Sequence, residues 1–254
     1  MNICLFYESE INKPLSVKDE RAQHILKILH KKENDEFFAG IINKNFGTAK
    51  ITKITEKEIY FSFIPSNEED PRPLFPLIMI IGFPRPIQLK RLLRDIAALG
   101  VCEVHLTGTE LGEKSYLESN LAKKENVFEM HLDGTIQSGA TKVPEIFIHK
   151  NLRDCLNIIN ERSLDNKKIA LDNKSPECSL NEAMQKYVTS GNVAETNEYI
   201  TAAIGSERGW TDNERKILSD NGFILCGMGN RIMRTETAAT VAGSIILNHI
   251  GALK

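Results

Sequence analysis

From residue 75 onwards, short apolar runs alternate with segments whose apolar residues recur at helical spacing. The run FPLIMIIG (75–82) is apolar throughout, which is typical of a parallel strand buried on both faces. Residues 87–99 then repeat leucine and isoleucine every three or four positions, and Gly100 follows as a C-cap. Further strands are predicted at 101–106, 145–149, 168–172, 198–205 and 223–226, and further helices at about 114–137, 151–162 and 179–188, from Asp212 and from Thr235. This alternation predicts an α/β domain that has a mostly parallel sheet with helices on both faces.

The N-terminal quarter of the chain follows a different pattern, because β-branched and aromatic residues there stand between turn signals. Strands are predicted at 3–6, 36–42, 47–54 and 58–64, and one helix at roughly 19–30. These elements predict a small β-rich barrel or sheet domain. The stretch PSNEEDPRPLFP (65–76) is dense in proline, which disfavours helix interiors and central strands, so we interpret it as a linker. The predicted domains are therefore 1–70 and 74–254.

Composition narrows the class of protein. The 254 residues are 41% hydrophobic and 26% charged, the profile of a folded chain rather than a disordered one. No apolar run approaches the roughly 20 residues that span a bilayer, and the start MNICLFYESE does not resemble a signal peptide, so no membrane association is expected. The five cysteines are widely spread, which favours reduced thiols in the cytoplasm, and no Cys or His spacing predicts a metal site.

The formal charge is −2, so the chain has no overall attraction to nucleic acid, and RNA binding would need a local basic face. One such face is predicted on the helix at 87–99 and just before it, at Arg85, Lys90, Arg91 and Arg94. These side chains fit either an ordinary solvated face or contacts with phosphates.

Two strand-to-helix loops near the C-terminus carry the strongest candidate chemistry. They are AIGSERGWTDNE (203–214), in which Thr211 and Glu214 form a capping box, and CGMGNRIMRTE (226–236), which ends at a predicted cap, Thr235. Ligands of open parallel sheets bind beyond the carboxyl ends of strands, and glycine lets the backbone approach a ligand closely. Turn glycines and ordinary caps explain each loop equally well when it is taken singly.

Arg231 and Arg234 in the second loop fit either a solvated loop pair or a fork of donors for phosphate or a base edge. The following segment, TETAATVAGSIILNHI, is apolar except for a strip of Thr237, Thr240, Ser244 and Asn248. Such a helix has to be covered on most sides, either by the sheet as an ordinary core helix or by the sheet together with a second subunit. Neither loop carries a P-loop or a dinucleotide fingerprint.

Several motifs resemble one family over nearly the whole chain. GNRIMRTETAA resembles the L-G-x-R-I-L-R-T-E-T-A signature of the 16S ribosomal RNA uridine-N3 methyltransferases, the small subunit methyltransferase E family. IGSERGW is similar to that family's I-G-P-E-G-G-F loop, and RLLRDIAALGVCEVHLTGTE, QSGATKVPEI and HILKILHKKENDEF are similar to its other segments. The resemblance implies an N-terminal PUA-like β-barrel and a C-terminal SPOUT domain with a trefoil knot near 200–240, acting as a homodimer.

The resemblance further implies that S-adenosylmethionine binds among the knot loops. The cofactor-binding residues it implies are Ile204, Gly205, Glu207, Gly209, Leu225, Gly227, Met228, Gly229, Ile232 and Thr235. The chain departs from the family pattern at several positions. Ser206 and Arg208 replace a proline and a glycine, His30 and Ala140 stand where the family usually carries arginine, and Asn34 replaces a glycine.

The implied reaction is methylation of N3 of a uridine in 16S ribosomal RNA, free or in the 30S particle, without a metal. Arg231 and Arg234 are the candidates for stabilising the anion of the base, and Glu207 or Glu236 for accepting its proton. The candidate RNA contacts are Arg85, Lys90, Arg91, Arg94 and Arg208. Three alternatives stay open: a SPOUT enzyme acting on another RNA such as a transfer RNA, a non-catalytic RNA-binding assembly protein, and, disfavoured by the missing fingerprint, a nicotinamide-dependent oxidoreductase.

Overall fold

A computed structural model describes residues 2–68, 70, 72–162, 166–188 and 198–253. The chain forms two compact units, one of Met1–Pro73 with Leu132–Val143 and one of Leu74–His131 with Pro144–Lys254. The predicted boundaries assign the segment Leu132–Val143 to the C-terminal domain instead. Within the described residues, no helix has the length and apolar character needed to cross a membrane.

The N-terminal unit contains one five-stranded sheet in the order β1-β3-β4-β5-β2. Its strands are β1 Cys4–Phe6, β2 Leu15–Ser16, β3 Glu36–Ile41, β4 Phe46–Ile54 and β5 Glu58–Pro65. β1 is parallel to β3, and the other pairs are antiparallel, with a register shift between Ile51 and Lys53. The inward residues form a separate hydrophobic core around Phe6, Ile25 and Phe61. The four predicted strands are confirmed. β2 was not predicted, because a strand of two residues is too short to show an alternation of apolar and polar positions.

The single helix predicted at 19–30 is wrong in its form. A four-residue helix, α1 Glu20–Gln23, continues as a π-helix over His24–Ile28, in which the Leu29 N–H donates to the His24 carbonyl. A hydrogen bond to the carbonyl five residues earlier makes a wider turn than that of an α-helix. The helix ends before His30, which has a left-handed backbone conformation with φ of 52°. Asn34 has φ of 72°, a conformation that asparagine tolerates better than most residues, which explains why it can replace the family's glycine.

Hydrogen bonds within the N-terminal unit explain why residues 132–143 belong to it. The Thr141 hydroxyl is 2.9 Å from both the Lys44 carbonyl and a carboxylate oxygen of Asp70. The Val143 N–H donates to the side-chain oxygen of Asn43 at 2.8 Å. Burial would raise the pKa of Asp70, but hydrogen bonds from Thr141 and Arg72 lower it below its ordinary value. These contacts join positions about 100 residues apart in the chain, which a local pattern cannot reveal.

The C-terminal unit contains a seven-stranded, fully parallel sheet, as predicted. Its order is β10-β12-β9-β11-β6-β7-β8. The strands are β6 Phe75–Gly82, β7 Val101–Thr107, β8 Glu145–His149, β9 Asn166–Leu171, β10 Cys178–Ser179, β11 Tyr199–Ile204 and β12 Ile224–Gly227. From β6 the chain builds β7 and β8 towards one edge, and the later strands lie on the other side of β6. The carboxyl ends of β9, β11 and β12 therefore lie together.

Pro76 corrects the argument used for the linker. It lies inside β6, although we expected proline to be excluded from a central strand. The pairing of β6 with β7 shifts register between Phe75 and Ile78, and the pairing with β11 begins only at Leu77. The irregularity removes the need for an N–H donor at the proline.

The described residues form eight α-helices, and five of those in the C-terminal unit cover both faces of its sheet. The bounds are α2 Pro86–Leu99, α3 Lys114–Leu117, α4 Lys124–Ser138, α5 Leu152–Glu161, α6 Leu180–Val188, α7 Asp212–Asp220 and α8 Thr235–His249. α2, α6 and α8 pack against the face that contains Leu77 and Met79, and α5 and α7 pack against the face that contains Ile78 and Ile80. Gly100 has φ of 78° and ends α2 as predicted.

The long helix predicted at about 114–137 is interrupted. α3 and α4 are separated by a 3-10 turn at Asn120–Ala122, and Ser119 and Lys123 on either side have extended backbone. Extended residues end the helical hydrogen-bond ladder, so the segment changes direction twice. The trefoil knot stays a prediction.

Candidate active site

Three loops at the carboxyl ends of β9, β11 and β12 enclose a cleft of about 280 Å³, which we call the donor cleft. Its walls come from residues 171–173, from residues 204–209 and from residues between Cys226 and Ala238. The two loops predicted from sequence therefore line one cleft, although their strands β11 and β12 lie on either side of β9 rather than next to each other. The third loop, after β9, was not predicted to take part.

The loop after β11 is a tight turn held by close backbone approach. The Gly209 N–H donates to the Ser206 carbonyl at 2.8 Å, and Gly209 has φ of 71°. A Cβ atom on Gly205 would lie 2.9 Å from the carbonyl carbon of Gly209, so this position accommodates glycine only. Ser206, which replaces the family's proline, is buried and accepts a hydrogen bond from the Thr109 hydroxyl at 2.9 Å.

The loop after β12 forms the opposite wall. Gly229 has φ of 87°, and a Cβ atom there would meet nothing within 4 Å, so the backbone faces open space. The side chain of Ile232 is 82% exposed, which is unusual for isoleucine in a folded chain. A large apolar group left exposed beside glycines forms an apolar surface for a ligand.

The predicted N-cap at Thr235 is wrong. Arg234 is the residue before the helix, with extended backbone, and Thr235 is the first residue of α8. Instead of accepting from a backbone N–H, the buried Thr235 hydroxyl donates to the Gly205 carbonyl at 3.3 Å. The contact ties the loop after β12 to the loop after β11.

The loop after β9 is held by a buried ion pair. Asp172 accepts hydrogen bonds from Nε and Nη2 of Arg215, each at 3.0 Å, and from the Ser175 N–H at 2.7 Å. Burial would raise the pKa of Asp172, but the hydrogen bonds from Arg215 and Ser175 lower it below its ordinary value. The indole N–H of Trp210, next to the β11 loop, donates to the Leu171 carbonyl at 3.0 Å. Asp172 directly follows the apolar strand KIAL, and this position at a strand end is the signal that could have predicted it.

Most of the predicted cofactor-binding residues line the donor cleft. They are Ile204, Gly205, Glu207, Gly209, Met228, Gly229, Ile232 and Thr235. Leu225 is instead buried in the hydrophobic core, and Gly227 packs against Pro176. These positions alone do not test the binding roles, which stay predictions.

The predicted acidic residues differ in their surroundings. Glu207 lines the donor cleft and accepts a hydrogen bond from the Arg85 N–H at 2.8 Å, which connects the cleft to the start of α2. Glu236 is buried in the first turn of α8 and is not among the residues that line the cleft.

The predicted basic residues are exposed. Arg231 lines the donor cleft, and Arg234 precedes α8. Among the described residues, neither has a carboxylate within ion-pair distance. Arg208 lies 3.3 Å from Glu113 in a surface ion pair. On α2 and just before it, the four predicted cations are all exposed, and Arg91 pairs weakly with Asp95 at 3.7 Å.

A buried histidine pair lies apart from the residues of the donor cleft. His105 Nδ1 and His149 Nε2 are 2.9 Å apart on neighbouring strands, and Glu103 lies beside the other nitrogen of His105. Burial lowers the pKa of His149 to about 4. Together with Cys155 these side chains bring three potential metal-ligating atoms within 4.8 Å of one another, which the sequence spacing did not predict. The two rings are joined by their mutual hydrogen bond.

Comparisons with known proteins agree with this architecture. Residues 70–247 match the family described as RNA methyltransferase domain, and residues 17–64 match the RNA methyltransferase PUA domain. The ribosomal RNA small subunit methyltransferase E of Treponema pallidum is 40% identical over 261 aligned positions, which cover 100% of this chain and 93% of that protein. Ribosomal RNA small subunit methyltransferase E 1 of Borreliella burgdorferi is 32% identical, with 97% of both chains covered.

A solved structure shares the fold. The ribosomal RNA small subunit methyltransferase E of Neisseria gonorrhoeae, solved bound to S-adenosyl methionine, superposes with a TM-score of 0.72 at 20% identity, covering 98% of this chain and 97% of that one. The aligned region includes residues of both units, and the shared fold agrees with the predicted PUA-like and α/β domains.

Proposed function

The chain belongs to the ribosomal RNA small subunit methyltransferase E family, and on that premise we propose that it transfers a methyl group from S-adenosylmethionine to N3 of a uridine in 16S ribosomal RNA. The observation that carries the proposal is the donor cleft, where the loops after β11 and β12 meet at the carboxyl ends of parallel strands that both pair with β9. This is the place where α/β sheets bind nucleotide-like ligands.

The residues of the donor cleft fit a bent adenosyl ligand. Gly229 faces open space and Gly209 has a positive φ, so both loops bring backbone rather than side chains to the ligand. Ile232 and Met228 supply apolar surface for an adenine ring. When bound, S-adenosylmethionine supplies a methyl group that its positively charged sulfur already activates.

The chain's own residues then have two tasks at the base. Uridine N3 carries a proton, so the proton has to be removed and the resulting negative charge stabilised. Arg231 is assigned the stabilising role, because it lines the donor cleft and no described carboxylate neutralises it. Arg234 lies between Met233 and Thr235, which both line the donor cleft, and it is assigned to positioning a phosphate.

Of the two candidate proton acceptors, the geometry favours Glu207. Its carboxylate lines the donor cleft, whereas that of Glu236 is buried in the first turn of α8. Glu236 is better suited to stabilising the helix start, where a negative charge interacts favourably with the helix dipole.

We also propose a homodimer that uses the exposed face of α8. Thr237 and Asn248 on this face are exposed, and Val241 and Ile245 between them stay half-buried although the other sides of α8 pack against α2, α6 and the sheet. A second copy would cover these apolar side chains. Light scattering tests this: Val241→Glu/Ile245→Glu is expected to be monomeric where the unchanged chain is dimeric, and a monomeric unchanged chain contradicts it.

The decisive experiment measures transfer of a labelled methyl group to 30S particles that lack the modification, followed by mapping of the methylated base. We expect label at N3 of a uridine in 16S RNA. Label in transfer RNA instead would identify a related enzyme with another substrate. Calorimetry with S-adenosylmethionine separates the remaining alternative, because a non-catalytic assembly protein without the site would give no saturable heat.

A further inference from the structure

A second cleft of about 240 Å³ lies at the carboxyl ends of β7 and β8 in the same C-terminal unit. Its walls come from residues 108–114 after β7 and residues 150–153 after β8, with Phe83, Leu117, Glu214 and Ile217. Among the described residues that line this second cleft, none has been assigned above to the methyl donor or to RNA. Its lining is strongly charged, with three carboxylates and three cations.

The carboxylates of the second cleft are already occupied by the protein. Glu214 accepts hydrogen bonds from the N–H groups of Thr211 and Glu110, at 3.0 and 2.9 Å. Glu110 accepts one from the Thr211 hydroxyl at 2.6 Å. Glu113 pairs with Arg208 at 3.3 Å. Each acid therefore holds a loop or helix end, and the charge of Glu113 is also balanced by that of Arg208.

The cations of the second cleft form no direct ion pair among the described residues, although side-chain hydrogen bonds and, to a smaller extent, the charge of Arg153 lower the pKa of Glu110. Lys114, Lys150 and Arg153 are exposed, and within the part of the chain that the structure describes none of them has a hydrogen-bond or ion-pair partner. α5 begins at Leu152 in the wall of the cleft, and the start of a helix adds partial positive charge. The three cations and the start of α5 therefore provide donors for an anion on their side of the cleft.

A shared wall joins the second cleft to the donor cleft. Thr109 lines the second cleft and donates to Ser206, which lines the donor cleft, at 2.9 Å. Arg208 and Glu113 form a second connection across the same wall. The wall is thin because β6 ends there in Gly82: a Cβ atom on this residue would lie 2.3 Å from the Ser206 nitrogen and 2.9 Å from Cγ2 of Thr109.

We propose that the second cleft binds the ribose–phosphate segment next to the target nucleotide, with Lys114, Lys150 and Arg153 contacting phosphate oxygens. The proposal rests on the proposed function, since it requires RNA at the donor cleft. A single strand that places one base at the donor cleft has its next phosphate within reach of the shared wall. Contacts of this kind fix the register of a nucleic acid without reading its sequence.

The test compares two double variants of the full-length protein. Lys150→Ala/Arg153→Ala removes two of the proposed contacts, and Lys123→Ala/Lys124→Ala removes the same charge from exposed positions that line neither cleft. We expect the first variant to lose about tenfold or more in kcat/KM for 30S particles, mainly through KM, which corresponds to about 1.4 kcal/mol. Its Kd for S-adenosylmethionine should stay within about twofold of the unchanged chain, because Lys150 and Arg153 do not line the donor cleft.

Salt dependence of binding to 30S particles, measured without methyl donor, supplies a readout that does not need catalysis. Loss of two phosphate contacts lowers the slope of log Kd against log salt by about 1.4, at roughly 0.7 per contact for a single strand. Equal effects in both double variants, or unchanged kcat/KM and slope in the first, would overturn the proposal while leaving the methyltransferase assignment intact. Absence of methyl transfer by the unchanged chain would instead contradict the proposed function, and the slope would still decide whether the second cleft contacts RNA.

Discussion

Replacing Arg215 by methionine would test how the loop after β9 is held in the donor cleft. The side chains of Asp172 and Arg215 are 1% and 10% exposed, and they share two hydrogen bonds of 3.0 Å. Methionine keeps most of the aliphatic stem but removes the guanidinium. The Asp172 carboxylate would then stay buried with a backbone N–H as its main remaining donor.

Breaking a buried pair by removing one partner costs about 3–5 kcal/mol, because the other charge is left uncompensated. The second partner of Arg215, Asp212, is 83% exposed, so losing it adds less than about 1 kcal/mol. We therefore expect the free energy of unfolding to fall by about 3–5 kcal/mol at pH 7.

The loss should shrink as the pH is lowered. In the unchanged protein the pKa of Asp172 is below its ordinary value. The ion pair therefore contributes its full stabilisation at pH values above the pKa of Asp172 in the unfolded chain, about 3.9. That contribution is lost as the pH falls through the pKa of Asp172 in the folded protein. Without Arg215, burial raises the pKa of Asp172, so the variant takes up a proton at higher pH and is relieved of the buried charge.

Urea unfolding followed by tryptophan fluorescence measures this directly. Trp210 is the one tryptophan of the chain, and its indole N–H contacts the Leu171 carbonyl beside Asp172. Lys216→Met, on the same helix, removes a lysine whose ion pair is exposed, so it should cost less than about 1 kcal/mol. A loss below about 1 kcal/mol for Arg215→Met at pH 7, or a loss of equal size at pH 4.5, would refute the reasoning.

Three further predictions follow from the same structure. The free energy of unfolding should fall by about 1–2 kcal/mol in Gly229→Ala and in Gly222→Ala, because both glycines have positive φ and neither added Cβ atom would clash. Only Gly229→Ala should also weaken the binding of S-adenosylmethionine. Thr235→Val should cost about 1 kcal/mol and lower that affinity, while Thr237→Val, at an exposed position, should do neither. Stability should fall as the pH drops from about 6.5 towards 4, because burial lowers the pKa of His131 to about 4, and His131→Gln should reduce this dependence, worth at most about 3 kcal/mol.

Calorimetry and urea unfolding check these predictions. Equal donor affinity in the two glycine variants would mean that the backbone at Gly229 does not contact the ligand. An unchanged affinity in Thr235→Val would mean that the hydroxyl contact with Gly205 does not position the loops. Below about pH 6.5, His131 binds fewer protons in the folded protein than in the unfolded chain, so lowering the pH favours unfolding. An unchanged pH dependence in His131→Gln would contradict this effect of burial.

The predictable elements are those that depend on residues close together in the sequence. The run 75–82 is apolar at every position because both faces of a central strand are buried, and the capping box of Thr211 and Glu214 forms within four residues. Gly100 ends α2 because glycine tolerates φ of 78°. The glycine-rich loops could likewise be assigned to strand ends, and the long motif of residues 229–239 carried the family resemblance.

Other features depend on contacts between distant parts of the chain. The hydroxyl of Thr235 has a capping residue's chemistry, yet its partner is the carbonyl of Gly205, thirty positions earlier. The position of Asp172 at a strand end marks it as a candidate, but its partner Arg215 lies 43 positions later and no local pattern identifies it. The second cleft consists of segments after β7 and β8 with a wall shared with the β11 loop, and no local period predicts that arrangement.

By itself, the order of residues determined the place and type of most strands and helices and which loops carry glycine and arginine, because backbone conformation and one-sided burial act over a few residues. Tertiary structure alone decided which loops adjoin, which charges are neutralised by neighbours and which stay available to a ligand. Those properties depend on sheet order and on hydrogen bonds across 30 to 120 positions, such as that between Arg85 and Glu207, and therefore exist only once the chain is folded.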